Sequence, residues 1–510
     1  MAAKSSAQII MSLDLGTTST RVALYDTEGN AVTIVAREHQ QYFPHPGWVE
    51  HDAAEIWANI RELAALSLAR AQLTADDIVS IGITNQRETV VAWDADTSQP
   101  VHRAIVWQDA RTDTVVERLI AAGHNELVQK RTGLNLSAYF SAPKMAWILQ
   151  HSDQAARLAA RGRLRFGTID AWIIWNLTGG TVHATDITNA SRTSLMDIQN
   201  GQWDLALGEV FDLDPKVLET ALPRIYPSIH NFGTVVKGLP VAGIPITGVL
   251  GDQQAASFGQ TIFAAGEAKN TYGTGCFLLY NTGTEPVVST SGLLTTVAYQ
   301  LPDEPPVYAL EGSIAQAGSV VQWLRDQLGI IRSSKDVEAL ANSVTDHGGV
   351  YFVPAFSGLF APWWRPDASG TIIGLTSYAT SGHIARAALD ATAYQTLDVV
   401  KAVEADTGEK LQRLSVDGGM TINDQLMQFQ SDILDVVVER SADVETTARG
   451  AAYAAGLGIG VWQEISQLRE LWQSGGVWYP QIDPTRRDRL IRGWRAAIEH
   501  TIGWPVDETS

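Results

Sequence analysis

Two short apolar segments near the start of the chain flank a polar turn that contains glycine. Ile9 to Leu13 lead into the turn Asp14-Leu-Gly-Thr-Thr-Ser19, and a second apolar segment, residues 21–26, follows it. Aliphatic residues on both sides of a short glycine turn predict a β-hairpin. Gly16 lets the backbone come close to a ligand, and the hydroxyl side chains beside it would donate to phosphate oxygens. The pattern predicts a phosphate-binding hairpin, and an ordinary polar turn stays open as the alternative.

Apolar segments that end in polar or glycine-rich turns recur along the chain. They predict strands at 78–84, 246–250 and 414–417, and a second hairpin at 268–280. Asp52 and Glu55 form a capping-box pattern ahead of an amphipathic helix, and another helix is predicted after Asn423. Strands alternating with helices predict an α/β fold, and a glycine-rich turn opening each half predicts one ligand held between two lobes.

The placement of these motifs divides the chain into domains 1–258 and 259–510, with a hinge near Phe258 and Gly259. No repeat of solenoid length and no low-complexity linker marks the boundary. Gly456-Leu-Gly-Ile-Gly460 is similar to part of a dinucleotide fingerprint, but it continues an alanine-rich helical segment and lacks a preceding strand. We therefore expect it to allow close helix packing.

Charge and cysteine content narrow the class of protein. With 37 Lys and Arg against 56 Asp and Glu, the 510-residue chain has a formal charge of −19, which disfavours binding to nucleic acid or anionic membranes. Cys276 is the single cysteine, so no disulfide within the chain and no thiolate zinc site is expected. Without an apolar run of bilayer length or a signal-peptide core, we expect a cytoplasmic protein that does not insert into membranes.

Asp252 is the first candidate catalytic residue. It lies in Gly251-Asp-Gln-Gln254, directly after an apolar strand. A carboxylate there would accept the proton of an attacking hydroxyl, as phosphoryl transfer requires. The same residue precedes a helical pattern, so helix capping is an equally good interpretation. Asp14, at the end of the first strand, would hold Mg²⁺ through water.

A cluster of hydrogen-bonding residues, Thr84-Asn-Gln-Arg-Glu-Thr89, suits recognition of a small polyol. Arg87 would donate to the hydroxyls and Glu88 would accept from them. Taken alone, the Arg-Glu pair would more often be a solvated surface pair. Trp107 and Phe277 would contact the carbon edges of the polyol, although aromatic residues after apolar runs more often belong to the core.

Several ordered segments together resemble the glycerol kinase branch of the FGGY carbohydrate kinase family over nearly the whole chain. The first family signature is similar to Tyr139-Phe-Ser-Ala-Pro-Lys-Met-Ala-Trp-Ile-Leu-Gln150, and the second to residues 370–390. Further matching segments are 46–51, 81–88, 188–192, 251–254 and 270–275. The resemblance implies a two-lobed, actin- and hsp70-like (ribonuclease H-like) α/β ATPase fold with a cleft between the lobes. It also implies phosphorylation of glycerol by ATP to ADP and sn-glycerol 3-phosphate.

The resemblance also implies roles for individual residues. Glycerol would contact Arg87, Glu88, Tyr139, Asp252 and Gln253, with Trp107 and Phe277 as an apolar wall and Asp252 as general base. The nucleotide would contact Thr17, Thr18, Ser19, Arg21, Thr274, Gly318, Gln322, Gly419 and Asn423. Asp14 resembles the carboxylate associated with Mg²⁺. A homo-oligomer, dimer or tetramer, is expected from the same resemblance.

Three positions depart from the common family pattern. Leu15 replaces a glutamine, Ala110 replaces a polar residue, and Arg365 ends a Phe-Ala-Pro-Trp-Trp-Arg segment where the family more often has Gly-Ala-Pro-Tyr-Trp-Asp. None removes an expected ligand contact, and Leu15 should change packing only. Two alternatives stay open: a sibling kinase acting on a pentulose, hexulose or sugar acid, and a nucleotide-switched binding protein without catalysis.

Overall fold

A computed structural model describes residues 8–365, 367–443 and 445–503. The strands of the first half are β1 (Ile9–Leu15), β2 (Ser19–Tyr25), β3 (Ala31–Glu38), β4 (Gln41–Tyr42), β5 (Glu50–His51), β6 (Ile78–Asn85), β7 (Val91–Asp94), β8 (Ala104–Ile105), β9 (Leu164–Gly167), β10 (Ala184–Asp186), β11 (Met196–Asp197), β12 (Gln202–Trp203), β13 (Arg224–Tyr226) and β14 (Ile246–Gly251). Its helices are α1 (Ala53–Ala71), α2 (Asp113–Ala121), α3 (Asn125–Thr132), α4 (Ser141–His151), α5 (Asp153–Ala159), α6 (Ile169–Leu177), α7 (Ile187–Ala190), α8 (Leu205–Val210), α9 (Pro215–Ala221) and α10 (Asp252–Gly259).

The second half continues the same alternation. Its strands are β15 (Ala268–Tyr272), β16 (Cys276–Gly283), β17 (Leu294–Tyr299), β18 (Val307–Ile314), β19 (Tyr351–Val353), β20 (Thr371–Ile373), β21 (Arg413–Asp417), β22 (Val437–Ser441) and β23 (Ser474–Trp478). Its helices are α11 (Gly318–Asp326), α12 (Asp336–Ala341), α13 (Ser381–Thr407), α14 (Asp424–Leu434), α15 (Thr446–Gly458), α16 (Ile465–Leu471) and α17 (Pro484–Thr501). Short 3₁₀ helices cover Ala75–Asp77 and Gly419–Ile422.

Each half is built on one large sheet, and the two sheets share a topology. The first has the order β3-β2-β1-β6-β14, in which β1, β2 and β3 are antiparallel and β6 and β14 run parallel to β1. In the second, β18-β16-β15-β21-β22 repeats this pattern, with β17 and β23 added at the edges. The α/β prediction is therefore confirmed, and the fold contains a duplication that is not evident as a sequence repeat.

The predicted hairpins and helices form for the reasons that their sequences indicate. Both hairpins are present, and α1 begins after Asp52, whose side chain accepts from the backbone N–H of Ala54 at 2.9 Å. The other half of the predicted capping box is wrong, because the Glu55 carboxylate accepts instead from the backbone N–H of Gln40 at 3.2 Å. Leu15 is 1% exposed in the core of the first half, so this departure does concern packing.

Small residues bring the two halves into close contact. Helix α15 packs on α10 and on β14, β6 and β1 of the first sheet. A Cβ atom on Gly450 would lie 1.8 Å from the carbonyl oxygen of Ala255, and one on Gly458 would lie 2.6 Å from that of Thr247. The packing interpretation of the Gly456–Gly460 segment is confirmed. Phe258 and Gly259 end α10 in this contact, and the domain boundary and hinge there stay predictions.

A helix that crosses a bilayer must be both long and apolar. Within residues 8–365, 367–443 and 445–503, no helix combines the two properties.

Candidate active site

The first sheet brings its polar turns together at one edge. In register, Leu15 lies beside Asn85, and Asn85 lies beside Gly251. Because β1, β6 and β14 are parallel, the residues that follow them meet at their shared carboxyl edge. This places the turn at 16–18, the segment Gln86–Thr89 and Asp252 next to one another.

Arg87 and Glu88 are buried at this edge. Their exposed fractions are 2% and 1%, so the interpretation as a solvated surface pair is wrong. Nε of Arg87 lies 3.1 Å from Oδ1 of Asp252. Glu88 has a φ of 62°, and the N–H of Thr89 donates to the carbonyl of Arg87 at 2.7 Å, which closes a γ-turn. Such a turn is strained in a residue other than glycine. The side chains of Arg87 and Glu88 lie together there, with Nε of Arg87 3.9 Å from Oε1 of Glu88.

Two further buried residues complete a network of charges. The carboxylate of Glu311 accepts from Nη1 and Nη2 of Arg87, at 2.5 and 3.1 Å, and from Nη2 of Arg192 at 3.0 Å. Nε of Arg192 donates to Oε1 of Glu88 at 2.7 Å. Burial alone would raise the pKa of Glu311, but the two arginines hold it at about 2. Both acids and both arginines thus lie in one closed ring of ion pairs.

Asp252 keeps an accessible carboxylate. The helix N-cap is Gly251, so Asp252 is the first helical residue and the capping interpretation is wrong. Its Oδ1 accepts from the backbone N–H of Gln253 at 2.7 Å, and the side chain is 28% exposed. Partial burial raises the pKa of this carboxyl, and the Arg87 guanidinium opposes that shift. The result is a more basic carboxylate that faces the site.

Gln253 is connected to the second sheet. Its Oε1 accepts from Nζ of Lys269 at 2.6 Å, and the same ammonium donates to Oγ1 of Thr271 at 2.9 Å. Lys269 is fully buried, and burial lowers its pKa to about 8. A cation from the second half therefore fixes the Gln253 carboxamide and leaves its NH₂ group free to donate.

Three aromatic rings form a wall beside these polar groups. The Trp107 ring lies 5.5 Å from that of Tyr139 and 6.4 Å from that of Phe277, measured between centroids, in edge-to-face contact. All three side chains are half-buried, so they are not closed-core residues. Nε1 of Trp107 donates to Oγ1 of Thr17 at 3.0 Å, which links the wall to the first turn.

Lys144 fixes the loop that carries Tyr139. Its buried ammonium donates to the carbonyl oxygens of Ala138, of Tyr139 at 2.8 Å and of Phe140 at 3.0 Å. These acceptors use all three N–H groups of a lysine. Burial lowers the pKa of Lys144 to about 7. The lysine of the first family signature thus shapes the backbone at the aromatic wall.

The first turn is open to solvent. Thr18 is exposed, Thr17 and Ser19 are half-buried, and the carbonyl of Thr17 accepts from ring Nε2 of His39 and from Nε2 of Gln41, both at 3.0 Å. Those bonds engage the carbonyl of the turn, and the hydroxyl protons of Thr17, Thr18 and Ser19 remain available to donate to a ligand.

Asp14 lies at the base of the same turn. Nη1 of Arg21 donates to Oδ2 of Asp14 at 3.1 Å and also to the carboxylate of Glu445 in the second half. Burial raises the pKa of Asp14 to about 6, against the effect of Arg21. No group of three or more His, Cys, Asp or Glu side chains arranged for a metal occurs within the described part of the chain. The donor set suits Mg²⁺ that keeps most of its waters, and not an all-protein site.

The second turn, Gly273-Thr-Gly275, meets two other glycine turns. The N–H of Gly318 donates to the carbonyl of Gly273 at 3.0 Å, and a Cβ on Gly318 would lie 2.6 Å from that oxygen. A Cβ on Gly418 would lie 2.5 Å from the carbonyl of Tyr272. Thr274 and Gly419 are exposed beside this contact. Gly318 and Gly418 therefore allow the turns to pack on one another, and the exposed backbone at Gly273 and Gly419 is open to close approach by a ligand.

The other residues expected at the nucleotide surround these turns. Gln322 is exposed on α11, four residues after Gly318. Asn423 caps α14, with its Oδ1 accepting from the N–H of Leu426 at 2.9 Å.

Two of the three positions that depart from the family pattern make local contacts. Ala110 donates its N–H to the carbonyl of Gly47 at 2.8 Å, and Arg365 forms an exposed pair with Asp367 at 2.5 Å. Neither bond involves a residue expected to bind ligand.

Sequence reasoning assigned no role to Glu311, Arg192, Lys144 or Lys269. The sequence does contain one signal for Glu311: it is a charged residue within an otherwise apolar strand, Tyr308-Ala-Leu-Glu-Gly312. A charge in a buried strand needs a partner, so this position predicts a buried ion pair. Its partners lie 119 and 224 residues away in the chain, and no local pattern identifies them.

The chain matches known proteins over most of its length. The models of the N-terminal and C-terminal domains of the FGGY family of carbohydrate kinases match residues 9–259 and 268–459. A protein of Clavibacter michiganensis subsp. michiganensis named glycerol kinase is 52% identical, over 99% of both chains. One of the same name from Methylorubrum extorquens is 54% identical, over 98% of this chain and 99% of its own. The crystal structure of Plasmodium falciparum glycerol kinase with ADP superposes with a TM-score of 0.91 at 41% identity, covering 97% of this chain and 98% of that one.

Proposed function

Because the chain belongs to the FGGY family of carbohydrate kinases, we propose that it transfers the γ-phosphoryl group of ATP to glycerol, giving ADP and sn-glycerol 3-phosphate. The observation that carries the proposal is the convergence, at one sheet edge, of a buried Arg-Glu pair, an accessible carboxylate and a half-buried aromatic wall. That combination offers donors and acceptors to vicinal hydroxyls and an apolar surface to a short carbon chain. The chain as a whole is more than half identical to two proteins named glycerol kinase.

In this proposal the polar groups divide the recognition of glycerol. Arg87 donates to one hydroxyl and Glu88 accepts from a neighbouring one, while Gln253 supplies an amide donor. Burial raises the pKa of the Tyr139 phenol, so its O–H stays protonated and remains a donor. Trp107, Tyr139 and Phe277 contact the carbon atoms and limit the length of an acceptor.

Asp252 is the general base in the proposed reaction. It takes the proton of the attacking hydroxyl as the hydroxyl oxygen bonds to the γ-phosphorus and the bond to the β–γ bridging oxygen breaks. Its raised pKa favours proton uptake, and its 28% exposure leaves room for the substrate. The leaving ADP carries the charge of the broken bond.

In the same proposal the nucleotide lies between the halves. Thr17, Thr18, Ser19 and Arg21 bind its phosphates from the first turn, and Thr274, Gly318, Gln322, Gly419 and Asn423 bind it from the second half. Arg21 already contacts Glu445 across the junction, so it is the residue that would exchange a protein partner for phosphate. Asp14 would hold Mg²⁺ through water, and the ion would supply neutralisation of charge on the phosphate oxygens.

We further propose a domain boundary at 258/259 and expect the halves to close on ATP and glycerol together. The cytoplasm is the expected location and a dimer or tetramer the expected assembly.

ADP release in the presence of different acceptors tests the proposed function. Glycerol, D-xylulose, D-gluconate and a blank without acceptor are compared at saturating Mg-ATP, with the Asp252→Asn variant purified in parallel to detect contaminating kinase. We expect kcat/KM for glycerol to be far higher than for the others. A higher value for xylulose or gluconate would identify a sibling sugar kinase, and ADP release independent of acceptor would indicate a nucleotide-switched protein.

A further inference from the structure

We propose that Glu311 is the positioning residue for glycerol recognition: this carboxylate, which the second half supplies, fixes the orientation of Arg87 and Glu88 in the first half. The inference rests on the proposed function and deepens it. It makes the orientation of Arg87 and Glu88 depend on the second half, although each residue expected to bind the hydroxyls lies in residues 87–253.

Glu311 removes the rotational freedom of Arg87. Glu311 is 0% exposed on β18, and its two oxygens accept the two terminal nitrogens of Arg87 at 2.5 and 3.1 Å. Two parallel bonds of this kind fix the plane of a guanidinium as well as its distance. Nη1 also donates to Oε1 of Gln254 at 3.3 Å. The edge of the guanidinium that carries Nε is thereby held towards Asp252, 3.1 Å away.

Glu311 controls Glu88 as well, through Arg192. Oε1 of Glu311 also accepts from Nη2 of Arg192, and Nε of that arginine donates to Glu88 at 2.7 Å. Arg192 is 0% exposed, so water does not compete for these bonds. One carboxylate therefore sets the position of both residues that would recognise hydroxyl groups, directly for Arg87 and through Arg192 for Glu88.

Glu311 and Asp252 compete for Arg87, since both lie within ion-pair distance of its guanidinium. Without the Glu311 charge, Arg87 would keep only Glu88 at 3.9 Å and Asp252 at 3.1 Å as ionic partners. Its terminal nitrogens, no longer held by Glu311, would then turn towards Asp252, because a buried cation approaches the anions that remain. That movement would withdraw Arg87 from the hydroxyls and make the base less basic. Glu311 thus keeps Arg87 available for substrate and Asp252 available for the proton.

The central experiment is Glu311→Gln in the full-length enzyme, with Glu439→Gln as matched control. Glu439 lies on β22 of the same sheet, is 8% exposed and pairs with Arg413 at 2.5 Å, but it contacts none of the residues expected at the substrate. We expect Glu311→Gln to raise KM for glycerol about 10- to 100-fold, the cost of leaving a buried donor unpaired, with KM for ATP changed less than about twofold. The control should change neither.

The pH dependence of kcat/KM is a second measurement, and it distinguishes a positioning role of Glu311 from a general contribution to the stability of the fold. Asp252 is surrounded by Arg87, Lys269, Asp14 and Glu311. Removing the Glu311 charge, and the approach of Arg87 that follows, both stabilise the Asp252 carboxylate. The acidic limb of the kcat/KM profile for glycerol should therefore move to lower pH in Glu311→Gln and stay in place in Glu439→Gln.

Several outcomes would overturn the proposal. If the wild-type enzyme phosphorylates glycerol but Glu311→Gln keeps its KM and pH profile, or raises KM for both substrates equally, Glu311 has a structural role only. If Glu311→Gln does not fold, Glu311→Asp keeps the charge but shortens the reach, and it must show the selective rise in KM for glycerol. If the wild-type enzyme does not phosphorylate glycerol, the proposed function itself is wrong. The same assay distinguishes this case, because it measures the wild-type enzyme beside the variants.

Discussion

The carboxyl edges of the two large sheets carry different residues on the same strand order. In the first sheet, Asp14 is the next-to-last residue of β1, Arg87 and Glu88 follow β6, and Asp252 follows β14. In the second, Thr271 takes the position that corresponds to Asp14, and glycines follow β15 and β21. The corresponding turns read Asp14-Leu-Gly-Thr-Thr-Ser19 and Thr271-Tyr-Gly-Thr-Gly-Cys276.

This difference shows how one topology supports two tasks. Charged and hydroxyl side chains at the first edge suit proton transfer, polyol recognition and a hydrated cation. Glycines at the second edge remove side chains where a nucleotide would lie and let backbone groups approach it. Asp417, the carboxylate at the second edge, is already used, since it accepts from Nε2 of Gln260 at 2.8 Å and from Thr446.

The largest expected effect comes from neutralising the accessible carboxylate at the first edge. Asp252→Asn should lower kcat by about 10²- to 10⁴-fold, because the amide cannot take the hydroxyl proton, while glycerol still binds. Stopped assays give kcat, and calorimetry gives glycerol affinity. Asp417→Asn is the comparison at the second edge and should lower kcat much less. Equal losses in both variants would mean that the two edges do not divide the chemistry in this way.

Truncation of the recognition pair should have the next largest effect. Arg87→Ala and Glu88→Ala each leave a buried charged partner unpaired, so we expect losses of about 1–3 kcal/mol in kcat/KM for glycerol. KM for ATP should change little. Arg413→Ala, which removes an arginine 61% exposed on the second sheet, is the control for loss of an ion pair. A parallel rise of both KM values in Arg87→Ala would point to a folding defect.

Local patterns were sufficient for the parts of the site that are continuous in sequence. The Gly16 turn, the 84–89 segment and Asp252 each follow an apolar strand, and parallel strands bring their ends together by geometry alone. The duplicated sheet was not predicted, because the two copies share strand order and a turn but few residues. The environment of Arg87 was also missed, because Glu311 lies 224 residues away and only the folded chain brings the two together.

The next prediction concerns stability: the buried charge of Asp14 at the first edge should lower the free energy of unfolding. Asp14 has a folded-state pKa of about 6 against an ordinary value of 3.8, so between these values the folded state binds more protons than the unfolded state. Stability from this group is present below the ordinary pKa and is lost as pH rises through about 6. Asp14→Asn should therefore stabilise the ligand-free protein on the order of 1–3 kcal/mol at about pH 8, and the gain should shrink towards pH 4.

Thermal unfolding at several pH values measures this gain, and activity against Mg²⁺ concentration measures its functional counterpart. We expect Asp14→Asn to need more Mg²⁺ for half-maximal rate. Asp212→Asn, at a side chain 62% exposed, is the control and should show no gain that depends on pH. A destabilised Asp14→Asn at alkaline pH would show that the charge supports the first turn and does not strain it.

The smallest expected effect tests the second edge. Gly419 is exposed, has no positive φ, and a Cβ there would meet nothing within 4 Å, so Gly419→Ala should leave the free energy of unfolding unchanged. If the nucleotide lies against this backbone, the added methyl group should raise KM for ATP about 3- to 10-fold and leave KM for glycerol alone. Gly318→Ala is the contrast, since its Cβ would clash with the carbonyl of Gly273 and lower both stability and ATP affinity. If KM for ATP is unchanged in Gly419→Ala, the nucleotide does not bind against this turn, and Gly419 has no role in nucleotide binding.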